Sequence, residues 1–466
     1  MPASNQELLR ALPSVTDLLK APQVIGWLER HPQPLVTECL RRALAEQRQS
    51  ILNGATESGD LTAKILGAAQ MNLAQSTDPH VREAINATGV ILHTGLGRSV
   101  IPGCVVDSML GEMKGYCTLA VDRETGERAE RDELVEYILT ELTGAEAATV
   151  VNNNAAATML VLAALAVQKE VIVSRGQLIE IGGSFRLPEV MSQSGARLVE
   201  VGATNRTHLK DYQKAVTENT AAILRAHPSN YRVVGFTNEV PLNELVELCH
   251  SRNLTMIDDL GAGALLDLKQ FGLPHEPTVR ESIEAGADVV LFSGDKLIGA
   301  GQCGIIVGKK TLIDKLRKHP LMRAVRVDKT CLMVLERTLQ LFRDPARLRV
   351  DHPTYRMAST SLVELQERAQ KLARLISQEA PKVQNDICES EAFLGSGSLP
   401  TEAIPSIAVT VTVPGIGASE MARRLRLDTA CVFGRIADER LWLDLRTLTD
   451  EQLPLVAGAL ERVIKG

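Results

Sequence analysis

Lys296 closes the segment Phe292-Ser293-Gly294-Asp295-Lys296, directly after the apolar run Asp288–Phe292. A short apolar run of this kind suits a strand buried on both faces. The mouth at the C-terminal end of a parallel sheet is where ligands bind in such folds. A lysine amine desolvated there can condense with a carbonyl, although a lysine taken alone is far more often a solvated loop residue. Met256-Ile257-Asp258-Asp259-Leu260-Gly261-Ala262-Gly263 puts two carboxylates at the end of a second apolar run. A carboxylate at that depth can pair with a protonated ring nitrogen. An Asp before glycines also caps turns, a reading that fits Asp258 at least as well. Val150-Val151-Asn152-Asn153-Asn154-Ala155-Ala156-Ala157 leads from a strand into an Ala-rich helix. An Asn there caps the helix, and the N–H groups of its first turn make a phosphate site.

The elements that position these groups follow from the spacing of apolar residues. Strands are expected at Ala148–Val151, Glu170–Val173, Ala222–Leu224, Thr255–Ile257, Asp288–Phe292 and Gly304–Val307, with helices such as Ala155–Val167 and Leu242–His250 between them. Fully apolar strands separated by helices predict a parallel sheet covered on both faces, with Gly304–Val307 added as a neighbour of Asp288–Phe292. Residues 1–80 differ: leucines recur at helical spacing, broken by Pro13, Pro22, Pro32 and Pro34, and seven Lys/Arg balance eight Asp/Glu. This predicts a small all-helical module at 1–80, an α/β domain over 81–345, and a smaller α+β domain over 346–466. The last begins with a helix at Ser361–Gln378 and carries strands at Ile407–Val411 and Leu441–Leu445.

Composition bounds the rest. The chain has 466 residues, 45% hydrophobic and 23% charged, with net charge −6 and 3% aromatics. These values describe a folded globular protein without an aromatic platform for single-stranded nucleic acid or a uniformly basic surface. Ala155–Val167 is the longest apolar stretch and falls short of the ~20 residues a bilayer requires. Eight scattered cysteines without a CxxC pair suit reduced thiols in a cytoplasmic protein and offer no zinc spacing. No metal is expected.

Phosphate cradle, strand-end carboxylate and strand-end lysine occur in the order seen in fold-type-I pyridoxal-phosphate enzymes, where the carboxylate supports the ring as an electron sink. Ile85–Arg98, Val151–Ala157, Ser174–Arg186 and Phe292–Lys296 resemble the bacterial selenocysteine synthases, the L-seryl-tRNA(Sec) selenium transferases. So do Leu12–Leu19 near the start, and Gly434-Arg435 and Trp442–Arg446 near the end. The resemblance runs essentially end to end. It departs at Leu119-Ala120-Val121-Asp122, where relatives carry Glu-Tyr-Asp, and at Ile181, where related enzymes stack an aromatic on the ring.

The resemblance implies an aspartate-aminotransferase-like fold, bound pyridoxal 5'-phosphate, and conversion of seryl-tRNA(Sec) to selenocysteinyl-tRNA(Sec) with selenophosphate, through an aminoacrylyl-tRNA intermediate. It implies Lys296 as the Schiff-base lysine and Cα base, Asp259 as the ring-nitrogen partner, and Ser293 with Asn153, Asn154, Ala155 and Ala156 around the phosphate. Arg98, Arg323 and Arg326 are implied for the selenium donor. The basic run Lys309–Lys329 contains the last two. Their i, i+3 spacing predicts one anion-binding helix face, whereas Lys315, Arg317 and Lys318 read as a solvated face. The N-terminal module is implied to bind tRNA, and the assembly to be a homo-oligomer, a decamer built as a pentamer of dimers. The alternatives are a pyridoxal-dependent lyase or aldolase acting on a free small molecule, and a non-catalytic tRNA-binding protein.

Overall fold

A computed structural model of the chain describes residues 5–54, 60–131, 133–183, 185–228 and 230–465. The chain divides into two compact units, Met1–Glu83 and Ala84–Gly466.

The first unit is helical: α1 (Asn5–Arg10), α2 (Val15–Leu18), α3 (Pro22–Leu28), α4 (Gln33–Leu52) and α5 (Leu61–Thr77). The prolines that interrupt the leucine pattern start helices rather than merely breaking them. Pro22 opens α3 and Pro34 lies in the first turn of α4, where a missing N–H costs nothing. Leu18, Trp27, Val36, Leu40, Ile65 and Leu73 form the unit's core.

The strands of the second unit are β1 (Ile85–Ala87), β2 (Ala147–Val151), β3 (Glu170–Ser174), the short pair β4 (Glu180–Ile181) and β5 (Phe185–Arg186), β6 (Arg197–Val201), β7 (Thr220–Ala226), β8 (Thr255–Gly261), β9 (Val289–Ser293), β10 (Gly304–Gly308), β11 (Gln384–Gly395), β12 (Ser398–Thr412), β13 (Val432–Ala437) and β14 (Arg440–Asp444). Seven of them form one sheet in the order β2-β10-β9-β8-β7-β3-β6. It is mixed rather than wholly parallel, because β10 runs antiparallel to both β9 and β2. Only ten residues separate β9 from β10, too few for the dozen or so of a parallel crossover. Apolar residues cover both faces, with Met256 and Leu260 of β8 in one core and Ile257 in the other.

A second, five-stranded sheet has the order β1-β13-β14-β12-β11, backed by the helices Leu362–Glu379 and Gln452–Lys465. Its composition shifts the expected domain limits. β1 pairs parallel with β13, so Ile85–Ala87 belong to this sheet and not to the seven-stranded one. Leu348, Tyr355 and Ala358 pack into the core of the large sheet, whereas Leu365 and the helix residues after it pack with Ile85 and Ala87 in the core of the second sheet. Both shifts have one cause: pairing and burial, not chain position, assign an element to a core. The helix expected from Ser361 begins there with a capping box, Ser361 accepting from the Glu364 N–H and Glu364 from the Ser361 N–H. Strands β6 and β11 escape the sequence pattern because each leaves much of its length exposed and carries polar residues.

Candidate active site

The register of the large sheet brings the expected segments to one edge. Gly304 of β10 pairs with Val151 of β2 on one side and Ser293 of β9 on the other. Gly261 of β8 then faces Phe292, and Ala226 of β7 faces Asp259. Asn152–Asn154, Ser293, Asp259 and His227 therefore lie together at this edge, a consequence of pairing that no local pattern encodes. Gly304 also allows close approach: a Cβ there would sit 2.2 Å from the Asn153 carbonyl oxygen.

These elements surround a cavity of about 420 Å³ lined by Arg98, Asn153, Asn154, Ala155, Asp259, Ser293 and Lys296, together with Thr94, Ile179, Ile181, Gly182, Phe185, His227, Gly261 and Gln302. The helix α6 is Gly103–Met113, α7 is Glu133–Thr143, and α8, which starts at the cavity, is Asn154–Leu165. Asn153 is its N-cap, accepting from the Ala156 N–H at 2.8 Å. That bond occupies the Ala156 donor, so Ala156 is not an available anion contact. The N–H groups of Asn154 and Ala155 remain at the open end of the helix, where they and the helix dipole favour an anion.

Asp259 is buried below them. It accepts from Asn154 Nδ2 at 2.9 Å, Thr158 Oγ1 at 3.2 Å and the Gly261 N–H at 3.1 Å. Burial pushes its carboxyl upward, opposed by the Asn154 amide, the Lys296 charge and the Thr158 hydroxyl. Asp258 points to the other side of the strand, as alternation requires. There it pairs with Arg225 Nη1 at 2.9 Å and accepts from Ser282 Oγ at 2.7 Å. It is a buried ion-pair member and not the turn cap its sequence context suggests.

Lys296 is 7% exposed. Burial lowers the pKa of its amine and the charge of Arg98 lowers it further, against the pull of Asp259, Asp295 and Glu276. The turn carrying it is clamped from the helix Pro353–Ser359 and its cap. Tyr355 OH donates to the Leu297 carbonyl at 2.9 Å, and His352 Nε2–H to the Ile298 carbonyl at 2.8 Å. Gly299, at φ +74°, lets the chain pass His352, whose ring a Cβ would meet at 2.2 Å. Tyr355→Phe leaves the buried Leu297 carbonyl without this donor. It is expected to lower unfolding stability by about 1–3 kcal/mol, measured by denaturant titration against the wild type.

Arg98, at φ +66°, reaches the cavity and pairs with Asp295 Oδ2 at 2.6 Å. Arg323 and Arg326 do not join it. The helix Leu321–Ala324 ends before Arg326, so the two arginines share no helix face. Arg323 is exposed, and the Arg326 main chain bridges to Val151 while its side chain lines a separate cavity with Arg128, Arg131 and Arg317. Arg317 is not on a solvated face: it pairs with Glu136 at 2.8 Å and is 19% exposed. Ile181 lies on the cavity wall with Phe185, its partner in the β4–β5 pair. Sequence reading missed His227, Asp295 and Glu276. A histidine directly after the apolar run of β7 was the available signal for the first.

Among the described residues, no group of His, Cys, Asp and Glu is arranged to hold a metal ion, and no helix is long and apolar enough to cross a membrane.

A mixed sheet bearing a helix N-terminus, a buried aspartate and a buried lysine at one edge defines a fold-type-I pyridoxal-phosphate-dependent transferase fold. The chain shares this fold with a D-glucosaminate-6-phosphate ammonia-lyase, at a TM-score of 0.58 and 22% identity over 84% of this chain and 98% of that one. The model of the L-seryl-tRNA selenium transferases matches residues 84–449, and that of the selenocysteine synthase N terminal region matches residues 9–48. The L-seryl-tRNA(Sec) selenium transferase of Caldanaerobacter subterraneus is 44% identical over 98% of this chain and 99% of its own. That of Methylocella silvestris is 45% identical over 97% of each. The chain belongs to the L-seryl-tRNA(Sec) selenium transferase family.

Proposed function

We propose that this protein converts L-seryl-tRNA(Sec) to L-selenocysteinyl-tRNA(Sec), using selenophosphate as donor and pyridoxal 5'-phosphate as cofactor, as a cytoplasmic homo-oligomer. The carrying observation is that Lys296, Asp259 and the start of α8 line one cavity in a chain of this family. The residues fit the cofactor by their chemistry. The N–H groups of Asn154 and Ala155, with Ser293, suit a phosphate, the buried Asp259 carboxylate suits a ring nitrogen cation, and Lys296 suits an aldehyde. Bound pyridoxal phosphate supplies an electron sink for charge left at the seryl Cα.

Lys296 Nζ takes the Cα proton. Its lowered pKa increases the fraction of free amine at neutral pH, which both attachment and proton removal require. The seryl carboxylate is esterified to tRNA, so Arg98 is not needed to bind it and instead serves the Lys296–Asp295 corner and the donor anion. The proton taken by Lys296 leaves with the seryl hydroxyl as water, selenium adds at Cβ as a proton returns to Cα, and water takes up the donor's phosphoryl group as the Se–P bond breaks, giving inorganic phosphate. Arg326, in its neighbouring cavity with Arg128 and Arg131, belongs to the anion-handling surface. The helical unit Met1–Glu83 binds the tRNA body.

The test is turnover of seryl-tRNA(Sec) with selenophosphate and pyridoxal phosphate, scored as selenocysteine released from tRNA by mild alkali. Turnover of free serine, with none of seryl-tRNA(Sec), would replace this reading with a small-molecule lyase. A second expectation concerns Arg98→Met. Removing the arginine takes a like charge from Lys296 and unpairs Asp295, and both changes raise the amine pKa. The pH at which cofactor attachment reaches half its maximal rate then moves upward, read by absorbance. An unchanged or lower value would remove Arg98 from the amine's surroundings.

A further inference from the structure

His227 and Glu276 lie beside the cavity and have no part in the chemistry above. The His227 main-chain N–H donates to the Asp259 carbonyl at 2.8 Å, which fixes the residue beside the aspartate. Its ring lines the cavity, and its Nδ1 is buried with no hydrogen-bond partner. Glu276 Oε1 lies 4.0 Å from Nδ1. Glu276 is 4% exposed, on the segment leading to the helix Val279–Glu284, and its carboxyl accepts from the Leu399 N–H.

We propose that Glu276 is a positioning residue that selects which ring nitrogen of His227 carries the proton, and so whether the cavity wall beside Asp259 offers a hydrogen-bond donor or an acceptor. A neutral imidazole has one N–H and one lone pair. A protonated Glu276 donates to Nδ1, which places the imidazole proton on Nε2, the nitrogen left to the cavity. An ionised Glu276 accepts from Nδ1–H, which leaves Nε2 only a lone pair. A side-chain adjustment of about 1 Å brings the pair from 4.0 Å to hydrogen-bond length. The donor form suits an oxygen anion on a ring bound between Asp259 and Lys296. That consequence rests on the cofactor reading, whereas the proton switch does not.

Burial keeps His227 neutral while Glu276 titrates. Burial and the Arg225 cation hold His227 down to about 4, against the pull of Asp258. Burial pushes Glu276 up to about 7, against the Leu399 N–H and the charges of His275 and Lys296. Lys296 is in turn faced by Arg98, Asp259 and Asp295. Near neutrality, Glu276 is therefore the member of the pair that changes charge.

The test uses the full-length protein without added cofactor, labelled with ¹⁵N-histidine and sedimented for magic-angle-spinning spectroscopy, whose line widths do not depend on assembly size. His227→Asn identifies the His227 signals by difference. The expected result is mostly Nε2–H at pH 6 and mostly Nδ1–H at pH 8, with a midpoint near 7. In Glu276→Gln one tautomer persists across this range, and in His275→Gln the switch remains. A wild-type ring that keeps one tautomer from pH 6 to 8, or a switch that survives Glu276→Gln, overturns the proposal. If Glu276→Gln does not accumulate, the wild-type and His275→Gln titrations decide, loss of the switch in the latter counting against Glu276. Failure of pyridoxal phosphate to bind, measured separately by absorbance, would sink the cofactor reading and leave the tautomer result standing.

Discussion

Lys296→Ala abolishes borohydride-trapped cofactor and lowers turnover by at least about 10²–10⁴-fold, the range associated with loss of a positioned acid–base group. The expectation is large because the lysine holds two roles, attachment of the aldehyde and removal of the Cα proton. No other lysine lines the cavity among the described residues. Burial matters as much as identity. An exposed amine with an ordinary lysine pKa is almost wholly protonated at pH 7, whereas this one is desolvated and pushed down by Arg98. The measurement is borohydride reduction followed by peptide mapping of wild type and variant, with thermal unfolding as a check on the fold. A cofactor label recovered on a different lysine would refute the assignment. So would a variant that turns over at the wild-type rate.

Deleting residues 1–83 leaves cofactor binding intact and weakens tRNA binding by an expected one to three orders of magnitude at about 100 mM salt. The second unit, Ala84–Gly466, contains every residue assigned to the cofactor and has its own cores under both sheets. Its cavity therefore does not depend on the helical unit for any lining residue. A tRNA is far larger than a 420 Å³ cavity, and the seryl end alone offers few contacts. The helical unit is not strongly basic: Arg41 and Arg42 lie beside Glu38 and Glu46 on α4. A few well-placed phosphate contacts, rather than a cationic face, are expected. Each one lost makes the log–log salt slope shallower by about 0.9 on duplex RNA, taking the DNA value as a guide. Filter binding of seryl-tRNA(Sec) at several salt concentrations checks this, with the cofactor spectrum as the folding control. Unchanged affinity in a truncated protein that still binds cofactor would leave the helical unit a packing role.

Local chemistry determined much of this protein from sequence alone. The runs ending at Val151, Ile257 and Phe292 lie in strands because they are short, largely buried and separated by helix-length segments. Asn153 caps α8 because an Asn side chain before an Ala-rich run satisfies a first-turn N–H. Long motifs carried family membership, since they extend along nearly the whole chain. Tertiary structure decided the rest. Neighbouring aspartates are indistinguishable in composition, and strand alternation alone sends Asp259 to α8 and Asp258 to Arg225. Arg323 and Arg326 share a spacing that suggests one face, but the helix ends between them and separates their side chains. β10 reverses direction because the ten residues before it cannot cross the sheet, and that reversal sets Gly304 between Asn153 and Ser293. His227 and Glu276 lie 49 positions apart in the chain and 4.0 Å apart in space, a proximity created by the register of β7 against β8 and by the segment that returns after it. Spacing along the chain encodes what each element is. Pairing between elements encodes which side chains meet, and that information is carried by long-range packing rather than by any single segment.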